Sequence, residues 1–326
     1  MTERQLKSGS AGATGNPVGA RRRALPVWGS FLPRTLYQWQ IAAFLFPALA
    51  LIIAFYIVPN AMNFYLSLTD WSTYKSEINF IGLRNFTDLY ATGELFGPLW
   101  VTLRYAFFVM IAENIFALAL ALALEESTPF NIFLRSVFFI PVLISTLAAG
   151  YAYQGIFAPN GVFNNLINTF IVPLGFEPVQ TGWLAQVNFT LYIVALVHAW
   201  KFGGIHMFVY LSGLKAIPHE LVESARVEGA NAWQVFRHVK APLLGPAFTF
   251  NIVLTLIGAL SIFDIILTMS RGGPGRATEV MNLAVWRQFG TGAFSYSTAI
   301  STLLFIVILI IAIPLIIVLR RREVRL

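Results

Sequence analysis

The chain has 326 residues, of which 57% are hydrophobic and only 11% charged, and its mean hydropathy is +0.70. A soluble domain carries about 25% charged residues, so this composition excludes a soluble globular enzyme, a disordered chain and a disulfide-stapled secreted domain. The 0 Cys remove any disulfide, thiolate nucleophile or cysteine metal site. The net charge of +7 raises nucleic acid as a partner, but its placement beside apolar stretches points to a membrane instead.

Residues 1–37 read as a cytoplasmic mobile tail. Up to about Pro26 they are rich in Gly, Ser, Ala and Arg, with little to bury. Arg21, Arg22 and Arg23 suit a juxtamembrane anchor facing anionic lipid better than a nucleic-acid patch. A bilayer-spanning helix needs roughly 20 apolar residues. Six stretches predict crossings: Ile41 to Val58, Leu99 to Leu124, Val137 to Phe157, Phe189 to Leu214, Pro242 to Met269 and Ala293 to Leu319. The fold class expected is therefore an all-α membrane protein with its six-helix domain over residues 38–326.

Between the first two crossings, Phe80, Leu83, Phe86 and Leu89 recur at helical spacing and predict a short surface helix. Between the third and fourth, Pro159, Asn160, Gly161 and Asn164 mark turns. Asn165, Leu166, Ile167 and Phe170 follow as a second short amphipathic helix. Lys and Arg collect on the cytoplasmic side of membrane proteins. With both termini inside, fifteen basic residues fall on the cytoplasmic side and five outside, with Arg104 and Lys201 within crossings.

The loop over residues 217–242 carries the most local information. Pro218 suits the first turn of a helix, where its missing N–H does no harm. Glu220 and Glu223 suit the positive end of that helix, which is expected from Pro218 to Glu228. Gly229 lets the chain turn without Cβ strain. Asn231 can cap a second helix from Ala232 to about Val239, and Pro242 opens the fifth crossing. Small residues (Ser224, Ala225, Gly229, Ala230) let a partner approach, and Trp233, Val235 and Phe236 supply apolar anchors. The alternative is an amphipathic loop resting on its own membrane domain.

The spacing Glu223-Ser224-Ala225, three residues to Gly229, and nine more to Val239-Lys240-Ala241-Pro242 resembles the EAA motif of binding-protein-dependent ABC transporter permeases. Ser224, Glu228, Val239 and Ala241 are mild departures from that pattern. Three more stretches resemble the carbohydrate-uptake group of maltose and glycerol-phosphate type. They are Phe263-Asp264 with Leu267 to Pro274 and Ala277-Thr278-Glu279, then Trp200-Lys201 with Gly203-Gly204 and Leu211 to Pro218, and Phe80 to Phe86. The resemblance covers most of the chain after Gln38.

That resemblance implies a multi-pass permease of the bacterial cytoplasmic (inner) membrane, importing a sugar or oligosaccharide. Its partners would be a second homologous permease, two cytoplasmic ATPase subunits and an extracellular or periplasmic solute-binding protein, within membrane lipid and with no nucleic acid. ATP and Mg would be bound by the ATPase subunits. The chain itself has no Gly-x-x-x-x-Gly-Lys-Ser/Thr run to cradle phosphates. Its four His lack metal-ligand spacing, so no catalytic residue, no metal and no cofactor is expected in this chain. The ATPase-coupling residues implied are Glu223, Ser224, Ala225, Glu228, Gly229, Ala230, Trp233 and Pro242.

Polar groups within crossings are expensive and are functional or paired. Arg104 is expected to snorkel and Glu113 to pair with a neighbouring helix. For the substrate path the candidates are Tyr153, Gln154, Trp200, Lys201, Gly203, Gly204, Asn251 and Asp264, and structural pairing competes with sugar contact at each. Lys201-Phe202-Gly203-Gly204 is expected to interrupt the fourth crossing and free carbonyls for hydroxyls, the alternative being a packing kink. Asp264 either lines the path or fixes the Gly272-Gly273-Pro274 turn. Other readings are a permease for glycerol phosphodiesters or another anionic polyol using Lys201, an integral-membrane enzyme, and a channel or scaffold without an ATPase.

Overall fold

The structure is a computed structural model and describes residues 34–321 and 323. Residues 1–33 of the expected tail lie outside the described residues. Regular structure among the described residues is helical, apart from an isolated bridge between Thr69 and Phe80. The chain divides into two compact units, 1–59 and 60–326. In the first, α1 (Arg34–Ile52) runs through a π-helical turn (Ile53–Ile57) into α2 (Val58–Leu66), which leads on into the second unit.

The second unit continues with α3 (Arg84–Ala91), α4 (Phe96–Ala123), α5 (Pro129–Leu143), α6 (Thr146–Ile156) and α7 (Val162–Ile171). Next come α8 (Thr190–Lys215), α9 (His219–Val227), α10 (Ala232–Val235), a π-helical turn (Phe236–Lys240) and α11 (Ala241–Leu243). The chain ends with α12 (Gly245–Leu260), α13 (Asp264–Met269), α14 (Met281–Gly290) and α15 (Phe294–Arg320). Of the two surface helices expected between crossings, the second is α7, and the first is α3 but starts only at Arg84, with Leu83 as its N-cap and Phe80 in the isolated bridge.

Four stretches are long and apolar enough to cross a membrane unbroken: 43–66, 96–123, 190–215 and 294–320. Two bent pairs complete six crossings, α5 with α6 (97°) and the α10–α11 segment with α12 (71°). The third crossing thus begins at Pro129, earlier than expected, and is an elbow. Pro141 in the last turn of α5 lacks an N–H and cannot continue the helical ladder. The backbone at Ile144 is extended, and α6 leaves in a new direction. The fifth crossing is not one helix to Met269 either. It stops at Leu260, and α13 starts at Asp264 after three intervening residues. The freed Ser261 carbonyl accepts a 2.7 Å hydrogen bond from Asn282 Nδ2. α6 and α13 pack on each other, since a Cβ built at Gly150 of α6 would lie 1.8 Å from Thr268 Oγ1 of α13.

The centre of the unit is α8 against α4, with α12 and α13 alongside. Tyr105 and Val109 of α4, Val194 and Val197 of α8, Leu256 and Leu260 of α12, and Ile265, Ile266 and Met269 of α13 form one buried cluster. The connecting loops gather as the alternation of crossings requires. Ser295 N donates to Trp71 O (2.9 Å) and Thr73 N to Gly292 O (2.9 Å), joining two loops expected on the outer face. Lys240 Nζ lies 2.8 and 2.5 Å from the Glu125 carboxylate oxygens, joining two loops expected on the opposite face. In the loop after α2, a hydrogen bond from Lys75 and another from the Asn79 N–H hold the Asp70 carboxyl below its usual pKa.

Candidate functional site

Two regions of the second unit carry the candidate residues. The first is the surface loop 217–242. Pro218 is the N-cap of α9, and Glu220 lies in its first turn. Gly229 has φ +88°, a left-handed conformation that costs an L-residue with a Cβ roughly 1–2 kcal/mol. Gly229 N donates to Arg226 O and Ala230 N to Ala225 O, both at 3.0 Å, the paired bonds of a Schellman ending. Asn231 then forms a capping box: its Oδ1 accepts from Gln234 N (2.9 Å), and Gln234 Oε1 accepts from Asn231 N (2.8 Å). The second helix is shorter than expected. α10 ends at Val235, and a π-helical turn carries the chain to Ala241.

The loop is attached on one side and bare on the other. Val222 and Val235 are buried, and Lys240 is pinned to Glu125. Arg135, itself buried, donates to the carbonyls of Leu124 (3.0 and 2.5 Å), Glu125 (3.2 Å) and Glu126 (2.9 Å). It thereby satisfies the end of α4 beside the loop. Glu223, Ser224, Glu228, Gly229 and Pro242 are exposed, and Ala225 and Ala230 are half-buried. Val227 is 87% and Trp233 63% exposed. His219 Nδ1 sits 3.2 Å from Glu223 Oε1 across one turn of α9.

The second region lies within the crossings, where the structure separates the path candidates. Tyr153 and Trp200 come together edge to face, with ring centroids 5.3 Å apart. They line an apolar groove of about 430 Å³ with Phe157, Phe163, Trp183 and Tyr192. Gln154 instead lines a more polar cleft of about 500 Å³ with Ser270 and Arg271. Asn251 is buried, donates to His206 O (3.1 Å) and meets His206 Nδ1 through Oδ1 (2.8 Å). Asp264 is exposed in the first turn of α13. It does not fix the glycine turn. Thr278 does so, donating to Gly273 O (2.7 Å) and meeting Ser270 Oγ (2.7 Å). Arg271 and Arg276 adopt left-handed φ of 52° and 67° there, and buried Glu279 is flanked by Arg276 and Arg287.

The expected interruption at Gly203-Gly204 is not there. α8 is continuous from Thr190 to Lys215. The glycines serve close packing: a Cβ at Gly204 would lie 2.3 Å from the Phe138 carbonyl oxygen, and one at Gly203 2.5 Å from the Phe116 ring. Glycine tolerates a helix interior when a neighbour fills the space its side chain would take. Lys201 is buried, and its Nζ lies 2.8 Å from Ile144 O, 3.3 Å from Pro141 O and 3.4 Å from Val142 O. All three ammonium hydrogens therefore have a carbonyl to meet, at the elbow of the third crossing.

Glu113 does pair with a neighbouring helix, but its partners are residues whose roles spacing could not show. Its Oε1 is 3.0 Å from His206 Nε2 and its Oε2 3.7 Å from His198 Nε2, all buried. Tyr105 OH contacts His198 Nδ1 (2.9 Å). This links α4, α8 and α12 through side chains in the middle of the apolar cluster. The signal available in the sequence was a lone acid on one crossing and two imidazoles on another. Arg104 bonds Tyr192 OH (3.0 Å) on α8.

Comparison with known proteins places this arrangement. Residues 114–323 match the family model described as the binding-protein-dependent transport system inner membrane component. The chain is 29% identical over 296 residues to the probable starch degradation products transport system permease protein AmyD of Thermoanaerobacterium thermosulfurigenes, covering 90% of this chain and 97% of that one. It is 30% identical over 264 residues to the trehalose/maltose transport system permease protein MalF of Thermococcus litoralis, covering 81% and 88%. The fold matches a chain of a bacterial ABC transporter involved in the import of the acidic polysaccharide alginate, with TM-score 0.75 and 23% identity over 88% of this chain and 96% of that one. The chain belongs to the family of binding-protein-dependent transport system inner membrane components.

Proposed function

We propose that this chain is one half of the translocation path of an ATP-driven importer for a sugar or oligosaccharide. It takes up no chemistry of its own: ATP and Mg belong to two ATPase subunits docked beneath it, and a second permease supplies the other half. An external solute-binding protein delivers the cargo, as the family's description implies. Both termini and the loop 217–242 are on the cytoplasmic side, following the distribution of basic residues. The cargo class rests on relatives named for starch degradation products and for trehalose and maltose.

The observation that carries the docking role is the construction of loop 217–242. α9 is ended by a left-handed glycine and followed by a capped turn, with the exposed side chains of Val227 and Trp233 beside it. Its far end is ion-paired to Glu125 at the end of α4. Force applied to α9 is thereby delivered to two crossings at once. ATP-driven closure of the ATPase pair moves α9, and cargo exchanges between outward- and inward-open states according to its differential affinity for them. The cargo path runs beside α6 and α8, where Tyr153 and Trp200 offer aromatic faces to a sugar ring and Gln154 and Asp264 offer polar groups.

A path for glycerol phosphodiesters or another anionic polyol is less well supported, because the ammonium of Lys201 is occupied by three carbonyls. Reconstituted with its partners, Gly229→Leu or Glu223→Lys should abolish uptake-linked ATP hydrolysis while the chain still inserts. Full cargo-stimulated hydrolysis in both variants would remove the docking role. Uptake competed by phosphate esters and not by oligosaccharides would replace the cargo assignment.

A further inference from the structure

The elbow of the third crossing is met by a charged side chain from another helix. α5 ends at Leu143, and α6 starts at Thr146 after a bend of 97°. A helix C-terminus leaves its last carbonyls without intrahelical partners, and the bilayer core has no water to satisfy them. α6 is short, and it packs on α13 through Gly150. It has eleven residues, of which Ala149 and Gly150 are the buried ones. At the elbow stands Lys201 of α8, 1% exposed, with its ammonium within 2.8 to 3.4 Å of the carbonyls of Pro141, Val142 and Ile144. The Phe202 ring centroid lies 4.5 Å from the same nitrogen. The positive charge sits at the negative end of the α5 dipole, where a cation is favoured.

We propose that Lys201 is a positioning residue whose ammonium fixes the elbow of the third crossing and so sets where α6 presents Tyr153 and Gln154. The effect on transport rests on the path reading given above; the effect on the elbow does not. Lysine suits the task because an ammonium is a compact charge with three rotatable donors, able to serve three oxygens that belong to one turn. Arginine keeps the charge and the donors in a planar fork. Methionine keeps the length and the apolar stem, and loses both.

The chain has 0 Cys, so nitroxide labels on Ser136→Cys and Ala152→Cys, both at exposed positions, read the elbow directly. The measurement is the interspin distance in the assembled transporter in lipid, alongside uptake. With Lys201 or Lys201→Arg the distance distribution should be narrow. With Lys201→Met it should broaden and move toward the ~24 Å that an unbroken helix would give over sixteen residues. Uptake in the Met variant should fall about tenfold, the size of a modest coupling energy. An unchanged distribution in the Met variant overturns the proposal, whatever uptake does. A shifted distribution with full uptake leaves Lys201 as the elbow's anchor and removes the path from α6. If the Met variant does not assemble, Lys201→Gln, which keeps donors without charge, should show the same shift, and an unshifted distribution there overturns the proposal equally.

Discussion

The loop 217–242 and the polar interior of the crossings are built on opposite plans. The loop's turns are specified locally, although Lys240 ties its far end to Glu125. Pro218, Gly229 and Asn231 act on residues within five positions of themselves, and each does so through backbone geometry. The interior's specifications are long-range. Lys201 meets a carbonyl 57 residues away, and His206 meets Asn251 across 45. Turns of this kind keep their shape through neighbouring residues alone. An interior device can draw its partners from any helix that passes.

The difference predicts where substitutions act. The largest effect is expected at Gly204. Its missing Cβ leaves room for the Phe138 carbonyl oxygen at 2.3 Å, and backbone cannot rotate out of the way as a side chain can. Gly204→Ala should cost at least the ~1–3 kcal/mol typical of overpacking, read as a lower melting temperature or failed assembly in detergent. Gly203→Ala meets the Phe116 ring instead and should be milder. Equal melting temperatures for the two would show that α8 does not pack against the third crossing as described.

Next in size is the pair of Glu113 and His206. Removing one partner leaves a buried polar group with a contact unmade, so Glu113→Leu should cost about 1–3 kcal/mol in an otherwise folded chain, less whatever the site regains by relaxation. The double variant Glu113→Leu with His206→Leu should recover part of that loss. A double variant less stable than either single one would contradict the pairing. The smallest effect is expected in the loop. Asn231→Ala removes the capping box and should cost about 1 kcal/mol locally. Hydrogen exchange should rise in α10 while the melting temperature stays unchanged. A global loss of stability would mean that the loop is not the self-contained unit its geometry implies.

How much of this was legible follows from the same contrast. The six crossings, α3, α7, the bounds of α9, the Gly229 turn and the Asn231 cap all follow from periodicity, Pro and Gly placement and capping chemistry, which act over a few residues. The elbow at Ile144 and the break after Leu260 were hidden, because apolar composition runs straight through both. The groups that meet the freed carbonyls, Lys201 for the first and Asn282 for the second, lie 57 and 21 residues away in sequence. Gly203-Gly204 was misread for a related reason. A glycine pair signals either a break or a close approach, and the choice is made by Phe116 and Phe138 on other helices. The path candidates were partly brought together, Tyr153 with Trp200. Asn251 instead joined the buried His206 contact, and Lys201 the elbow.

Docking of an ATPase subunit on loop 217–242, as proposed above, is open to a direct test. Val227, 87% exposed at the end of α9, is the most direct place to ask. Val227→Cys supplies the chain's single thiol, and a short thiol-to-amine cross-linker applied to the active transporter should join it to the ATPase subunit. Leu166→Cys, exposed on α7 and expected on the opposite face, should give no such product. Cross-linking from Leu166 and none from Val227, in a preparation that still couples ATP hydrolysis to uptake, would contradict both the docking surface and the topology.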